Sequence, residues 1–264
     1  MNTDQILVRC SSLHKLLTHF DKPTFEKGHQ TLAKEIHRQY KWDRQPDWGS
    51  KYTEKGIIGE EDAITLLSLS RKMMLKKNTE RITNDYISGH PDVYLGESID
   101  KVEEGFDTKC SWDVHSFPHK SDALDNSYLY QNHGYMYLTG AKKWTTVYCL
   151  VNAPIHLITR EKETVYYKMG CPDDTNQRYI ERLIEIEKNM IFDMKKFLKD
   201  NQNPALESLH VWKWDIPQAE RIMEFPVMRN EEVYRKIDQR VTLLRGYIQN
   251  NNSIKTNSNE KFNV

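Results

Sequence analysis

Gly105-Phe106-Asp107-Thr108-Lys109-Cys110 places an acid and a lysine two residues apart in an otherwise apolar run, ahead of a loop rich in Ser, His and Pro. Residues i and i+2 of a strand share a face. Asp107 and Lys109 therefore point the same way, and Thr108 points away. A carboxylate and an ammonium among apolar neighbours cost free energy unless they are paired or used. The spacing alone says little, since Asp193-Met194-Lys195 repeats it in an amphipathic pattern, where it reads as a solvated face.

Three further clusters stand in order around that stretch. Upstream lies Gly56-Ile57-Ile58-Gly59-Glu60, which opens a helical pattern over about 56–77 with Ala63, Ile64, Leu66, Leu67 and Leu69. His90-Pro91-Asp92 falls between strand-like runs over Ile82–Ser88 and Asp92–Leu95. Downstream, Gln131-Asn132-His133-Gly134-Tyr135 sits in a helical stretch over Ser121–Thr139 that Gly140 ends.

A hairpin pairing Asp92–Leu95 with Gly105–Cys110 makes Asp92 and Asp107 converge. Carboxylate oxygens suit magnesium, and a divalent ion there can activate water for phosphodiester hydrolysis and stabilise the leaving oxygen. Lys109 would orient that water or offset developing charge, and the Thr108 backbone carbonyl is a further candidate ligand. Glu60 offers a third carboxylate, directly or through water. Glu61 and Asp62 lie about 100° and 200° away around the helix and read as bystanders. Gln131 and Tyr135, at i and i+4, share a face from which an amide and a phenol can bond a phosphate or hold the acidic hairpin.

Elsewhere, residues 1–45 read as mostly helical, with Ser11-Ser12 as an N-cap. Trp144–Val151 reads as a buried strand, Thr164–Met169 as another, and Thr175–Lys199 as one long amphipathic helix. Arg221–Met228 reads as a strand, and Asn230 caps a helix running to about Gln249. This order gives an α/β (α+β) domain with a mixed central sheet. The expected organisation is one domain over 1–249, with core motifs at 50–155, and a disordered Asn/Ser/Lys-rich tail over 250–264.

The 38 basic and 38 acidic side chains cancel, so net charge gives no pull toward nucleic acid. Apolar runs such as Val147-Tyr148-Cys149-Leu150-Val151 fall far short of the ~20 residues needed to span a bilayer. Met1-Asn2-Thr3-Asp4-Gln5 lacks the features of a secretory leader, so no membrane and a cytoplasmic location are expected. Cys10, Cys110, Cys149 and Cys171 form no C-x-x-C pair, which indicates neither a zinc site nor a redox dithiol.

Taken together, Gly56-x-x-x-Glu60-x-x-Ala63, Pro91-Asp92, Asp107-Thr108-Lys109-Cys110, Tyr128-x-x-Gln131-x-x-x-Tyr135-Met136-x-x-Thr139 and Trp144 resemble the PD-(D/E)XK nuclease superfamily. The resemblance is closest to its lambda-exonuclease-like branch, the YqaJ-type viral recombinases, and covers roughly residues 50–155 with a weaker echo at 221–249. It implies a restriction-endonuclease-like core and a helical C-terminal elaboration. It implies Mg2+, replaceable by Mn2+, held by Glu60, Asp92 and Asp107, with Lys109 as the catalytic lysine and Gln131 and Tyr135 as support near the DNA. It further implies digestion of double-stranded DNA from an end in phage-type recombination. Such enzymes often form a homo-oligomeric ring and have a single-strand-annealing protein as partner. For a phage-encoded chain the location would be the host cytoplasm. Asp107 stands where many relatives carry Glu, and residues 155–220 have no counterpart. Some relatives hold an iron–sulfur cluster on four cysteines; the spacing here differs, and no cluster is expected.

Two alternatives share these residues: a site-specific or structure-specific endonuclease, and a catalytically silent DNA-binding subunit. The presence of Asp92, Asp107 and Lys109 together counts against the silent one. Arg9, Ser11, Ser12 and Lys15 are candidates for binding a DNA phosphate at a helix N-terminus, although an ordinary capped helix is the commoner meaning. His115 and His119 lack the second ligand pair a zinc site needs. Trp212 and Trp214 alternate on a strand-like run and read as core or interface residues.

Overall fold

A computed structural model describes residues 3–19, 22, 25–44, 49–201 and 215–259, with backbone alone for 252–259. Trp212 and Trp214 lie outside the described residues. The N-terminal part holds β1 (Val8–Arg9), α1 (Leu13–Leu17), α2 (Lys27–Trp42) and α3 (Lys51–Arg71). Four strands follow, β2 (Ile82–Thr83), β3 (Ile87–Gly89), β4 (Val93–Gly96) and β5 (Val102–Cys110). Next come α4 (Asn126–Thr139), β6 (Lys143–Cys149), α5 (Ile155–Lys168), α6 (Gln177–Met190) and α7 (Met194–Asp200). β7 (Ile222–Met228) and α8 (Glu231–Asn259) complete the described chain.

The expected mixed sheet is present, with strands in the order β4-β5-β6-β7. β4 and β5 form an antiparallel hairpin, β6 runs parallel to β5, and β7 runs antiparallel to β6. Parallel neighbours need a crossover, which α4 supplies. A small sheet, β1-β3-β2, stands beside it.

Each face of the main sheet is covered by helices. On one, Ala63, Ile64, Leu66 and Leu67 of α3 pack on Val93, Phe106, Val147 and Cys149. On the other, Trp144 joins Tyr135 and Met136 of α4 and Ile237, Val241 and Leu244 of α8. Two glycines set these distances. A Cβ on Gly105 would lie 2.3 Å from the ring of Trp144, its register partner, so only glycine lets that ring lie on β5. A Cβ on Gly59 would lie 3.1 Å from Cys110 Sγ, which marks how closely α3 approaches β5.

Several expectations fail for identifiable reasons. Thr164–Lys168 belongs to α5 and Met169 is its C-cap, so this stretch is not a strand. Its β-branched and aromatic residues favour extended chain only weakly, and packing against α6 decides otherwise, through Tyr166 on Tyr179 (6.0 Å between rings) and Lys162 on buried Glu187. Thr175–Lys199 is two helices. Asn152 Oδ1 accepts the Phe192 and Asp193 N–H groups at 2.8 and 3.0 Å, and Asp193 then accepts Lys196 N at 2.9 Å to cap α7. Asp193-Met194-Lys195 is thus a helix start, not a solvated mid-helix face. Ser12 makes no side-chain capping bond; Cys10–Ser12 is a 3-10 turn leading into α1. α8 continues past Gln249 to Asn259, into the stretch expected to be disordered. Among the described residues no helix is long and apolar enough to cross a membrane.

Candidate active site

β4 pairs with β5 only as far as Val93 opposite Phe106. Beyond that point residues 107–110 of β5 keep β6 on one side and lose a strand on the other. The Pro91-Asp92 turn fills the gap. Thr108 donates to Asp92 Oδ2 twice, from its backbone N at 2.8 Å and from Oγ1 at 3.1 Å. The carboxylate stands where a strand carbonyl would otherwise accept. Thr108, expected to point away from the site, thus holds Asp92 through its hydroxyl as well as its backbone.

Asp107 and Lys109 share the α4 side of the sheet, as alternation requires. Asp107 is fully buried. Its Oδ1 accepts from Gln131 Nε2 at 3.3 Å. Its Oδ2 lies 2.7 Å from Lys109 Nζ, an ion-pair contact outside hydrogen-bond geometry, and has no hydrogen-bond donor. Gln131 also donates to Tyr135 Oη at 2.8 Å, and Tyr135 donates to His90 O at 3.2 Å. One face of α4 thus ties β5 to the residues before Asp92. Gln131 and Tyr135 are buried and brace the acidic turn from inside.

The electrostatics are those of two crowded carboxylates. Burial, and then the charge of Asp107, push the Asp92 carboxyl up to about 7, although Lys109 and the Thr108 N–H work against this. Burial disfavours the charged Lys109, but Asp107 and Asp92 outweigh it and hold the ammonium above the usual lysine range. Burial raises the Tyr135 phenol well above its ordinary value, so it stays a neutral donor.

An unsatisfied buried carboxylate oxygen beside a second carboxylate is a donor set that fits a hard divalent cation. Asp107 Oδ2 and the Asp92 carboxylate are the atoms that would hold it. Among the described residues no group of three or more His, Cys, Asp or Glu gathers closely enough to bind a metal. Glu60 is drawn aside: its Oε2 lies 2.9 Å from Lys77 Nζ, although its charge still reaches Asp92. Lys77 carried no signal in the sequence. His119 Nδ1 lies 2.8 Å from Ser121 Oγ.

Arg9, Ser12 and Lys15 line a cavity of ≈ 320 Å³ with Glu35, Tyr40 and Ser88. Lys15 Nζ is 3.4 Å from Glu35 there. Ser11 is not part of the lining; it is exposed, and its carbonyl lies 3.1 Å from His14 Nδ1. Cys10, Cys110 and Cys149 are separately placed in the core or beside it, and Cys171 is exposed.

No protein-family model and no curated protein matches the sequence. Among solved structures, a phage-related exonuclease from Haemophilus somnus 129PT superposes with a TM-score of 0.67 at 27% identity, covering 95% of this chain and 97% of that one. The chain shares the fold of that exonuclease, consistent with the lambda-exonuclease-like PD-(D/E)XK resemblance of the sequence. The same fold appears in an alkaline exonuclease from Laribacter hongkongensis, at TM-score 0.58 and 12% identity over 98% of this chain and 95% of that one. A complex of that enzyme with dAMP gives a TM-score of 0.59 at 12% identity, with the same coverage. The likeness spans nearly the whole chain, so it extends into residues 155–220, for which the motifs offer no counterpart.

Proposed function

We propose that the chain is a divalent-metal-dependent deoxyribonuclease that digests linear duplex DNA from its ends, in phage-type recombination or DNA processing. The observation that carries this reading is the meeting of Asp92, Asp107 and Lys109 where β5 outruns β4, with Asp107 Oδ2 lacking a donor. The phage-related exonuclease at 27% identity supports the same activity class.

Asp92 and Asp107 would hold the ion, magnesium or manganese, with Glu60 as a third acid once released from Lys77. When bound, the ion supplies Lewis-acid polarisation of the phosphate and a more acidic water. Thr108 fixes one oxygen of Asp92 and Gln131 fixes one oxygen of Asp107; the second oxygen of Asp92 and Asp107 Oδ2, which also pairs with Lys109, would turn to the ion. The Lys109 ammonium, kept protonated by its acidic neighbours, offsets charge developing on the attacked phosphate. At the cavity beside Arg9, Ser12 and Lys15 a terminal phosphate would have to displace Glu35 from Lys15. A ring-shaped homo-oligomer and a single-strand-annealing partner complete the proposal.

Digestion of linear and covalently closed circular duplex, with magnesium or with a chelator, tests it. Loss of the linear form alone, and only with the metal, is expected. Discrete fragments from the circle would instead assign an endonuclease.

A further inference from the structure

The Asp-x-Lys pair is gripped by α4 at two points. Gln131 takes Asp107. One turn earlier, Tyr128 presents its ring to Lys109, with Nζ 4.9 Å from the ring centroid. Tyr128, Gln131 and Tyr135 stand at i, i+3 and i+7, a single helical face. We propose that Tyr128 is a positioning residue for Lys109: its ring face holds the ammonium against Asp107 and leaves the remaining side open to the phosphate. This rests on the reading of Lys109 as the reacting lysine.

Three observations bear on it. Lys109 has one ion-pair partner among the described residues, Asp107, and its side chain is 23% exposed, so the carboxylate alone does not fix a long, flexible stem. The Tyr128 ring is backed edge-to-face by Tyr148 on β6 (5.9 Å, 82°), and Tyr148 by Phe225 on β7 (5.7 Å, 77°). That file of rings keeps Tyr128 from retreating. The first turn of α4 is itself fixed, because Asp125 accepts Ser127 N at 2.7 Å. An aromatic face attracts an ammonium without claiming a particular N–H. The lysine is thus held in place while its protons remain available to substrate oxygens.

The test uses the full chain on linear duplex DNA with magnesium, measuring kcat and KM for Tyr128→Leu, Tyr128→Gln, Tyr128→Phe and Lys109→Ala. Leu and Gln remove the ring and are expected to lower kcat about tenfold with KM within about twofold. Phe keeps the ring and is expected to stay within about twofold of wild type in both. Wild-type kcat in the Leu and Gln variants overturns the proposal. So does a Phe variant as slow as Leu, since the hydroxyl rather than the ring would then matter. A KM that rises while kcat holds also overturns it, because Tyr128 would then be a substrate contact. Inactive Lys109→Ala beside unimpaired Tyr128→Leu removes the positioning role alone. Full activity in Lys109→Ala removes the reading beneath it.

Discussion

Lys55 makes the fold's stability depend on pH in a way that one substitution should expose. The residue lies on α3, fully buried, one and a half turns before Glu60. Its Nζ donates to Trp112 O at 2.8 Å and sits 5.3 Å from the Phe192 ring centroid. Among the described residues no carboxylate comes within ion-pair distance of it. Burial draws its pKa down from 10.5 to about 8. A depressed lysine binds its proton more weakly in the folded state, so its charged form opposes folding fully below pH 8. The opposition fades as pH rises from about 8 to 10.5, because the folded state releases its proton first. At 1.36 kcal/mol per pKa unit the handicap is about 3 kcal/mol at pH 7 and under about 1 kcal/mol at pH 10.

Lys55→Met keeps the length of the stem and removes the titration. It also leaves Trp112 O without its donor, at a pH-independent cost of about 1–3 kcal/mol. Relative to wild type, the variant should therefore lose about 2–3 kcal/mol between pH 7 and pH 10, whatever its standing at pH 7. Urea unfolding of both proteins at the two pH values reads this directly. Parallel changes in wild type and variant would show instead that Lys55 titrates as an exposed lysine does.

Gly105→Ala puts a methyl 2.3 Å from the buried Trp144 ring. At about 1–3 kcal/mol for overpacking, its melting temperature should drop by roughly 3–10 °C, and an unchanged melt would contradict the packing described. Thr108→Val removes the Oγ1 bond to Asp92 and keeps the backbone one, so kcat on linear duplex should fall roughly 3- to 10-fold with little change in melting temperature. Thr108→Ser should recover most of that loss; a Ser variant no better than Val would exclude the hydroxyl's role.

What was legible in the sequence was what local pattern controls. Alternation put Asp107 and Lys109 on one face of β5, and the i, i+4 relation put Gln131 and Tyr135 on one face of α4. The hairpin brought Asp92 to Asp107's strand. What escaped depends on partners distant in sequence. Glu60's turn toward Lys77 comes from the bridge of Lys77 to Val93, which no periodicity announces. The break between α6 and α7 comes from Asn152, some forty residues upstream, because an amphipathic pattern continues unbroken through a capped interruption. Thr108 keeps the alternation of β5, yet its hydroxyl reaches Asp92, because beyond Val93 a bend rather than a paired strand stands beside β5.

The most direct measurement is magnesium-dependent hydrolysis of linear duplex DNA by wild type, Asp107→Ala and Lys109→Ala, with circular dichroism and melting curves on the same samples. Both variants are expected to stay folded and lose hydrolysis, while wild type degrades the linear duplex. Full activity in either folded variant would rule out the roles given to Asp107 and Lys109.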